Sequence, residues 1–185
     1  MSTAARITTA DELLRMPDDG FRYDLVEGEL HKMTPAGSEH GAIAQSLGWR
    51  LGKFVEDHGL GQVFAAETGF LIGRDPDTVR APDVAFARKE QVERCGLPST
   101  FFPEAPALVV EVVSPDDTAE KVDAKIRNWL SAGSELAWVV YPGGRTVTVY
   151  RSLDEIRVLT EQDQLDGENV VPGFQRRVAD IFVSP

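Results

Sequence analysis

The spacing of apolar residues along the chain predicts an alternation of helices and strands. Two long stretches have the period of a helix, and several shorter ones have the period of a strand, with glycine and proline between them. The predicted helices cover Thr8 to Leu14, Ser38 (as N-cap) to about Asp57, and Asp116 to Ala132. The predicted strands cover Gln62–Ile72, Val79–Ala87, Ala107–Val113, Ala137–Tyr141 and Thr146–Tyr150, with weaker ones at Ile156–Leu159 and Val170–Val171.

Two further segments complete this pattern. The segment Phe21–Met33 alternates around Glu27-Gly28 and predicts a β-hairpin ahead of the longest helix. The segment Arg88–Pro106 is polar and rich in proline and charge, which is typical of a long loop. The order of these elements predicts an α/β (α+β) sandwich with a mixed sheet. No Gly-x-Gly-x-x-Gly and no Gly-Lys-Ser/Thr loop is present, so nothing supports a nucleotide cofactor.

Length and composition favour one soluble domain. The chain has 185 residues without an internal repeat, so we expect a single domain over residues 1–185. No apolar stretch approaches the roughly 20 residues that cross a bilayer, and Met1–Arg6 lacks the apolar core of a signal peptide. The single cysteine, Cys95, excludes an internal disulfide and a cysteine-built metal site. These features predict a cytoplasmic protein without a membrane segment.

The charge balance limits the partners that the chain can bind. Its formal net charge of -11 is opposite in sign to that of a protein that coats nucleic acid. It therefore argues against tight, non-specific binding to a polyanion. It leaves open a nuclease whose cleft is locally basic or whose carboxylates are neutralised by divalent cations.

Glu111 is the position most informative about function. It lies in the most apolar run of the chain, Ala107–Val113, which predicts a central strand buried on both faces. A lone carboxylate there costs roughly several kcal/mol unless it is paired or stays protonated. The partner expected at a strand end is a metal ion or a cation. A structural ion pair with Arg80 or Arg127 is the alternative.

Asp83 provides a second carboxylate. It follows Pro82 near the start of the predicted strand Val79–Ala87, which should neighbour the strand of Glu111. Two carboxylates on adjacent strands can hold one or two Mg²⁺ ions, with water and substrate phosphate completing the coordination shell. Alternatively, Asp83 opens its strand through a side-chain-to-backbone turn.

The helix after Glu111 supplies two candidate lysines, Lys121 and Lys125. Its apolar stripe consists of Val122, Ile126, Trp129, Leu130 and Gly133. At about 100° per residue, Lys125 lies roughly 80° from the centre of this stripe and Lys121 roughly 120°. Lys125 flanks the buried face and is therefore the stronger candidate for the cation near an attacking water. The alternative is a lysine whose stem only covers the edge of the core.

The candidate residues occur in the order of a known family. The matching segments are Tyr23–Leu30, His40, Pro82-Asp83, Glu111–Pro115, Lys125 ahead of an aromatic residue and Gly133, Trp138 with Pro142, and Val171–Phe174. With these segments the chain resembles the Uma-two family of restriction-endonuclease-like proteins, a branch of the PD-(D/E)XK nuclease superfamily. The resemblance extends over nearly the whole chain.

This resemblance implies a restriction-endonuclease-like core, with a mixed central sheet flanked by helices and an extra N-terminal β-hairpin. It also implies Mg²⁺-dependent hydrolysis of phosphodiester bonds in DNA, with Mn²⁺ as a substitute, and a homodimer. Asp83 and Glu111 would be metal ligands, and Asp83, Glu111 and Lys125 would be the catalytic residues. His40 has a counterpart in the family and is an additional candidate, with a surface histidine near a helix start as the alternative.

The chain departs from the family pattern at three positions. The lysine usual in the superfamily two residues after the glutamate is Val113 here, so Lys125 would have to supply it from the helix. Trp129 replaces a tyrosine and Tyr141 replaces an aspartate, and we expect both changes to affect only packing or the hairpin.

A non-catalytic dimeric binding or regulatory module with the same fold is the alternative function. Glycoside hydrolysis by the two carboxylates is weaker, since no aromatic sugar platform is evident.

Glu67 and a cluster of basic residues are the weaker candidates. Glu67 could add a carboxylate, although an outward polar position on a strand is the expectation. The basic residues that could form a phosphate-facing patch are Arg74, Arg80, Arg88, Lys89 and Arg94. Solvated loop charges are the expectation for this cluster.

Overall fold

The computed structural model describes residues 8–182. Its helices are α1 (Ala10–Leu14), α2 (Ser38–His58), α3 (Lys89–Cys95) and α4 (Ala119–Ser131), and a 3₁₀ helix follows at Val178–Ile181. Its strands are β1 (Arg22–Val26), β2 (Glu29–Met33), β3 (Gly61–Ala65), β4 (Phe70–Gly73), β5 (Thr78–Arg80), β6 (Val84–Arg88), β7 (Leu108–Val112), β8 (Leu136–Tyr141), β9 (Thr146–Tyr150), β10 (Ile156–Leu159), β11 (Gln164–Asp166) and β12 (Gln175–Arg177).

A six-stranded mixed sheet forms the centre of the fold. Its strand order is β10-β9-β8-β7-β6-β3. Strands β7 and β8 are parallel, whereas the other neighbours are antiparallel. Parallel pairing needs a crossover connection, and α4 provides it between β7 and β8. The predicted mixed sheet with flanking helices is therefore confirmed.

Strand β7 is buried on both faces because helices cover the sheet from both sides. Leu108, Val110 and Val112 pack with α2 in one apolar core, whereas Val109 packs with α4 in a second core. Side chains alternate between the two faces along a strand, so Glu111 lies on the α4 side together with Val109. This alternation decides which helix can bring a partner to Glu111.

A second, four-stranded sheet contains the predicted N-terminal hairpin. Its strand order is β2-β1-β5-β4. The turn between β1 and β2 is Glu27-Gly28, and both residues have positive φ, 49° and 81°. Glycine adopts this region without a steric penalty, which allows the tight reversal. Leu25 of β1 packs with Ala10 of α1 in a small apolar core of its own.

The chain passes between the two sheets at two places that the sequence pattern did not show. The predicted strand Gln62–Ile72 is in fact β3 in the large sheet and β4 in the small one. The predicted strand Val79–Ala87 is likewise β5 in the small sheet and β6 in the large one. The breaks are only four and three residues long and have apolar residues on both sides, so periodicity alone suggested single strands. Glu67 lies in the first break with φ of 78° and pairs with Arg22, so its predicted place on a strand is wrong.

Two other predictions of element type are wrong. The segment Arg88–Pro106, predicted as a loop, contains α3, none of whose residues is fully buried. An exposed helix needs no wide apolar stripe, so the polar composition concealed it. Val170 and Val171, predicted as a strand, form a turn between β11 and β12. Both side chains are buried in the core on the α2 side, which explains their apolar character.

The starts of the two long helices also differ from the predictions. The N-cap of α2 is Gly37, and Ser38 is already the first helical residue. Helix α4 begins at Ala119, later than predicted, because Thr118 is its N-cap. The Thr118 hydroxyl accepts the N–H of Lys121 at 3.3 Å, which satisfies one of the free N–H groups of the first turn.

Within residues 8–182, no helix is long and apolar enough to cross a membrane. The segment Met1–Arg6, in which we expected no signal peptide, lies outside the described residues.

The packing of α2 on the large sheet generates a test of the fold. Leu47 of α2 is fully buried, whereas Gln45 on the same helix is exposed. We expect Leu47→Ala to lower the free energy of unfolding by about 2–5 kcal/mol through lost burial and a residual cavity. Gln45→Ala should change it by no more than about 0.5 kcal/mol. Urea denaturation followed by circular dichroism measures both, and equal effects would contradict this packing.

Candidate active site

A cleft opens where the chain crosses between the two sheets. Its volume is about 960 Å³. It is lined by the hairpin β1–β2, the segment Arg80–Asp83 between β5 and β6, the end of β7 with residues 114–117, and the first turns of α4. All four predicted site residues, Asp83, Glu111, Lys125 and His40, line this one cleft.

Glu111 is a buried carboxylate with a donor at each oxygen. Trp129 donates its indole N–H to Oε1 at 2.8 Å, and Nζ of Lys125 lies 3.3 Å from Oε2. Burial raises the pKa of Glu111, and the nearby charge of Asp83 adds to this rise. The charge of Lys125 and the hydrogen bond from Trp129 oppose it. Glu111 therefore has the cationic partner that its burial requires, and that partner is a lysine.

Helix α4 brings both donors to Glu111 because Lys125 and Trp129 are four residues apart. Residues at this spacing lie on the same helix face, one turn from each other. The charge of Glu111 raises the pKa of Lys125, so its ammonium stays protonated at neutral pH. The predicted orientation of Lys125 agrees with the structure. The assignment of Trp129 to packing alone is wrong, since its N–H bonds the candidate glutamate.

Asp83 is fixed against the strand that contains Glu111. Its Oδ2 accepts the N–H of Val112 at 2.7 Å, and its own N–H donates to the carbonyl of Val110 at 3.1 Å. Val110 and Val112 flank Glu111 in the sequence, so these two bonds hold Asp83 next to it. Asp83 therefore bonds to the neighbouring strand β7. The alternative role, a side-chain-to-backbone turn within its own segment, would not need these bonds.

His40 lies on the other side of Asp83. Its Nε2 is 3.2 Å from Oδ2 of Asp83, and both side chains are largely buried. The hydrogen bond to Asp83 raises the pKa of His40, and burial opposes the rise. The structure therefore places His40 at the candidate site and not on the open surface, while its role stays a prediction.

The arginines proposed as structural partners of Glu111 have other contacts. Arg80 bonds Asp24 and Asn128, and Arg127 pairs with Asp123. The basic cluster also has acidic neighbours throughout: Arg74 lies near Asp77, Arg80 near Asp24, Arg88 near Glu135, Lys89 near Glu93 and Arg94 near Glu104. For these basic residues the structure therefore favours ion pairing within the protein over a phosphate-facing patch.

The sequence analysis missed two polar residues of the cleft, Asp24 and Asn128, and the role of Arg80 as their common partner. All three line the cleft, and Arg80 bonds both of the others. Asp24 was detectable in principle, because Leu25 belongs to the core and its neighbour must point to the opposite face of the hairpin. Asn128 lies next to Trp129 on α4, but no pattern in the sequence relates it to Arg80.

The donor set suits a hard divalent cation that keeps much of its own water. Within residues 8–182, no group of three or more His, Cys, Asp or Glu side chains is arranged to hold a metal ion. A closed structural zinc site would need about four such ligands. Mg²⁺ is commonly bound through one or two carboxylates plus water and substrate phosphate. Asp83 and Glu111 fit that requirement.

The buried pair Lys125–Glu111 generates a stability prediction. Lys125→Met should lower the free energy of unfolding by about 3 kcal/mol, because it leaves a buried carboxylate without its counter-charge. Adding Glu111→Gln should restore most of this loss, since the amide still accepts the Trp129 N–H and has no charge. Lys121→Met, at an exposed position of the same helix, is the control. Urea denaturation at pH 7 of these variants, of Glu111→Gln alone and of the unaltered protein tests this, and additive effects in the double variant would contradict the pairing.

Comparisons with known proteins are consistent with this fold. Residues 10–179 match the model of the Uma2 family, described as "Putative restriction endonuclease". The structure is similar to a crystal structure described as "a putative nuclease belonging to DUF820" from Anabaena variabilis ATCC 29413. The TM-score is 0.81 and the sequence identity 24%, over 94% of this chain and 97% of that chain, which confirms the fold. No curated protein matches the chain. Since the family model covers most of its length, the chain belongs to the Uma2 family.

Proposed function

We propose that this protein is a Mg²⁺-dependent endonuclease that hydrolyses phosphodiester bonds in DNA. The observation that carries the proposal is the grouping of Asp83, Glu111 and Lys125 in one cleft of a Uma2-family chain. The two carboxylates would hold the cation, and the ammonium of Lys125, 3.3 Å from Glu111, would orient the attacking water. Mn²⁺ is the expected substitute for Mg²⁺, since both suit carboxylate and water ligands.

The charge of the cleft supports a requirement for a divalent cation. The acidic residues that line it are Asp24, Glu27, Glu67, Asp83, Glu111, Asp116 and Asp117, and the Lys and Arg residues are Arg22, Lys32, Arg80, Lys121 and Lys125. Acidic residues are therefore in excess, as they are in the whole chain. A phosphodiester would be repelled from this surface unless bound cations offset the carboxylates. The acidic composition is thus compatible with a nucleic-acid substrate when a metal is bound.

The residues around the carboxylates set their positions. Trp129 holds Oε1 of Glu111, and the Val112 N–H with His40 holds Oδ2 of Asp83. Lys125 keeps its protonated ammonium beside Glu111, where it can orient the water and stabilise negative charge on the phosphate. When bound, Mg²⁺ supplies Lewis-acid stabilisation of the phosphate and favours ionisation of water at neutral pH.

Plasmid cleavage tests this proposal directly. Purified protein should nick supercoiled DNA in the presence of Mg²⁺ or Mn²⁺ and should lose this activity in EDTA. Asp83→Asn and Glu111→Gln should reduce the rate to background, because each removes a charged ligand. Lys125→Met should reduce it roughly 10²- to 10³-fold, the range typical for loss of one positioned donor that stabilises charge in the transition state. Lys53→Ala, which removes an exposed lysine paired with Asp57 on α2, should cleave as the unaltered protein does.

Calorimetry with Mn²⁺ separates a catalytic protein from the alternative, a non-catalytic dimeric binding or regulatory module. Binding that disappears in Asp83→Asn supports the nuclease. Absence of cation binding by folded protein, together with no cleavage of any DNA form tried, would favour the non-catalytic module. Rates unchanged in both Asp83→Asn and Glu111→Gln would refute the assignment of the site.

The homodimer and the cytoplasmic location belong to the same proposal. Sedimentation velocity over a range of protein concentrations measures the first, and a monomer at all concentrations would contradict it. Fractionation of expressing cells measures the second.

A further inference from the structure

Arg80 is a largely buried arginine that joins three elements of the structure. Nη1 donates to Oδ2 of Asp24 on β1 at 2.8 Å. Nε and Nη2 donate to Oδ1 of Asn128 on α4 at 2.9 and 2.7 Å. The side chains of Arg80 and Asp24 are only 10% and 7% exposed. A guanidinium has the rigid fork needed to hold two partners in a fixed relation, which a lysine lacks.

The proposed roles of Asp83, Glu111 and Lys125 do not account for this arrangement of Arg80, Asp24 and Asn128. Burying a charged pair is at best weakly stabilising compared with apolar residues of similar volume. In this chain the Arg80–Asp24 pair lies in the cleft, and the side-chain oxygen of Asn128 accepts two further bonds from Arg80. The three side chains therefore hold each other in place. Burial raises the pKa of Asp24, and the charge of Arg80 and the backbone N–H of Ala81, directly after Arg80, oppose this rise.

The partners of Arg80 lie next to the residues that contact Glu111. Asn128 and Trp129 follow Lys125 on α4 by three and four positions, so each lies next to Lys125 on the helix surface. Arg80 itself precedes Asp83 by three residues, at the crossing from the small sheet to the large one. One guanidinium therefore connects the helix that bears the lysine with the segment that bears the aspartate.

The apolar face of α4 alone leaves the position of the helix loosely defined. Val122, Ile126 and Trp129 are its buried residues, and apolar contacts are non-directional. Small rotations or shifts of the helix would preserve most of this burial while moving Lys125 away from Glu111. Displacements of about 1 Å can reduce the rate of a catalysed reaction about 10²-fold. Two directional bonds from Arg80 to Asn128 oppose such a displacement.

We propose that Arg80 is a positioning residue: its bonds to Asp24 and Asn128 hold α4 in the register that places Lys125 and Trp129 against Glu111. Its catalytic consequence rests on the proposed nuclease function, whereas its effect on the geometry of α4 does not. The experiment therefore has one part that needs activity and one that does not.

The indole N–H of Trp129 is the reporter for the part that does not need activity. It bonds Glu111, so its ¹H–¹⁵N resonance and its exchange with solvent follow the position of α4. The indoles of Trp49 on α2 and Trp138 on β8 are internal references in the same spectrum. Each signal is assigned from the corresponding Trp→Phe variant.

Four variants test the proposal. Arg80→Gln removes the fork, and Asn128→Leu removes only its acceptor on α4. Asn128→Asp keeps an acceptor for Arg80, so the Trp129 resonance should stay close to its original position. Arg127→Gln, which breaks an exposed ion pair with Asp123 on the same helix, is the matched arginine control.

In Arg80→Gln and Asn128→Leu we expect the Trp129 resonance to move and its exchange to become roughly tenfold faster, as for a locally loosened element. The resonances of Trp49 and Trp138 should stay in place. An unchanged Trp129 signal in folded Asn128→Leu would overturn the proposal, and this variant decides the matter if Arg80→Gln does not fold. Equal shifts of all three indoles would also overturn it, because they indicate a general loss of structure.

Cleavage kinetics provide the second part. Arg80→Gln and Asn128→Leu should lower kcat roughly 10- to 100-fold, a range seen when groups that orient a site are removed, with KM for DNA within about twofold. Arg127→Gln should leave both constants unchanged. An equal fall for Arg127→Gln, or an effect on KM alone, would contradict a role in positioning. If the unaltered protein cleaves no DNA while the indole results are as expected, the nuclease proposal fails and the role of Arg80 in placing α4 stands.

Discussion

The buried carboxylate of Glu111 is the constraint on which the arrangement of the cleft depends. It lies on a strand that is covered on both faces, so it needs donors from the protein, and α4 supplies them as the ammonium of Lys125 and the indole N–H of Trp129. A charge in such a place is costly without partners. Glu111 of β7 thus explains why α4 has a lysine at position 125 and a tryptophan four residues later.

The break between β5 and β6 brings the second carboxylate to the same place. The strand run is interrupted after Arg80, the chain changes sheets, and Asp83 enters the large sheet through bonds to Val110 and Val112. The break therefore has two consequences. It opens a cleft between the two sheets, and it places an acidic side chain beside Glu111 at the edge of that cleft.

Three of the acidic side chains in the cleft are held in place by polar bonds within the protein. Asp83 accepts bonds from the backbone and His40, Glu111 from Lys125 and Trp129, and Asp24 from Arg80. Each carboxylate is thus oriented before any ligand arrives. A preorganised set of this kind is what a cation site or a reacting phosphate requires.

Local periodicity was enough to predict the strand of Glu111, the helix after it and the position of Lys125 on that helix. The pattern also placed Asp83 near the start of a neighbouring strand, where the structure has it directly before β6, and the family resemblance predicted the fold. The division of Gln62–Ile72 and of Val79–Ala87 between two sheets is visible only in the folded chain, since an apolar pattern carries no information on which sheet a residue joins. The bonds from Arg80 to Asn128 and from Trp129 to Glu111 likewise depend on which elements pack together, and separations of 48 and 18 residues leave no local signal of them.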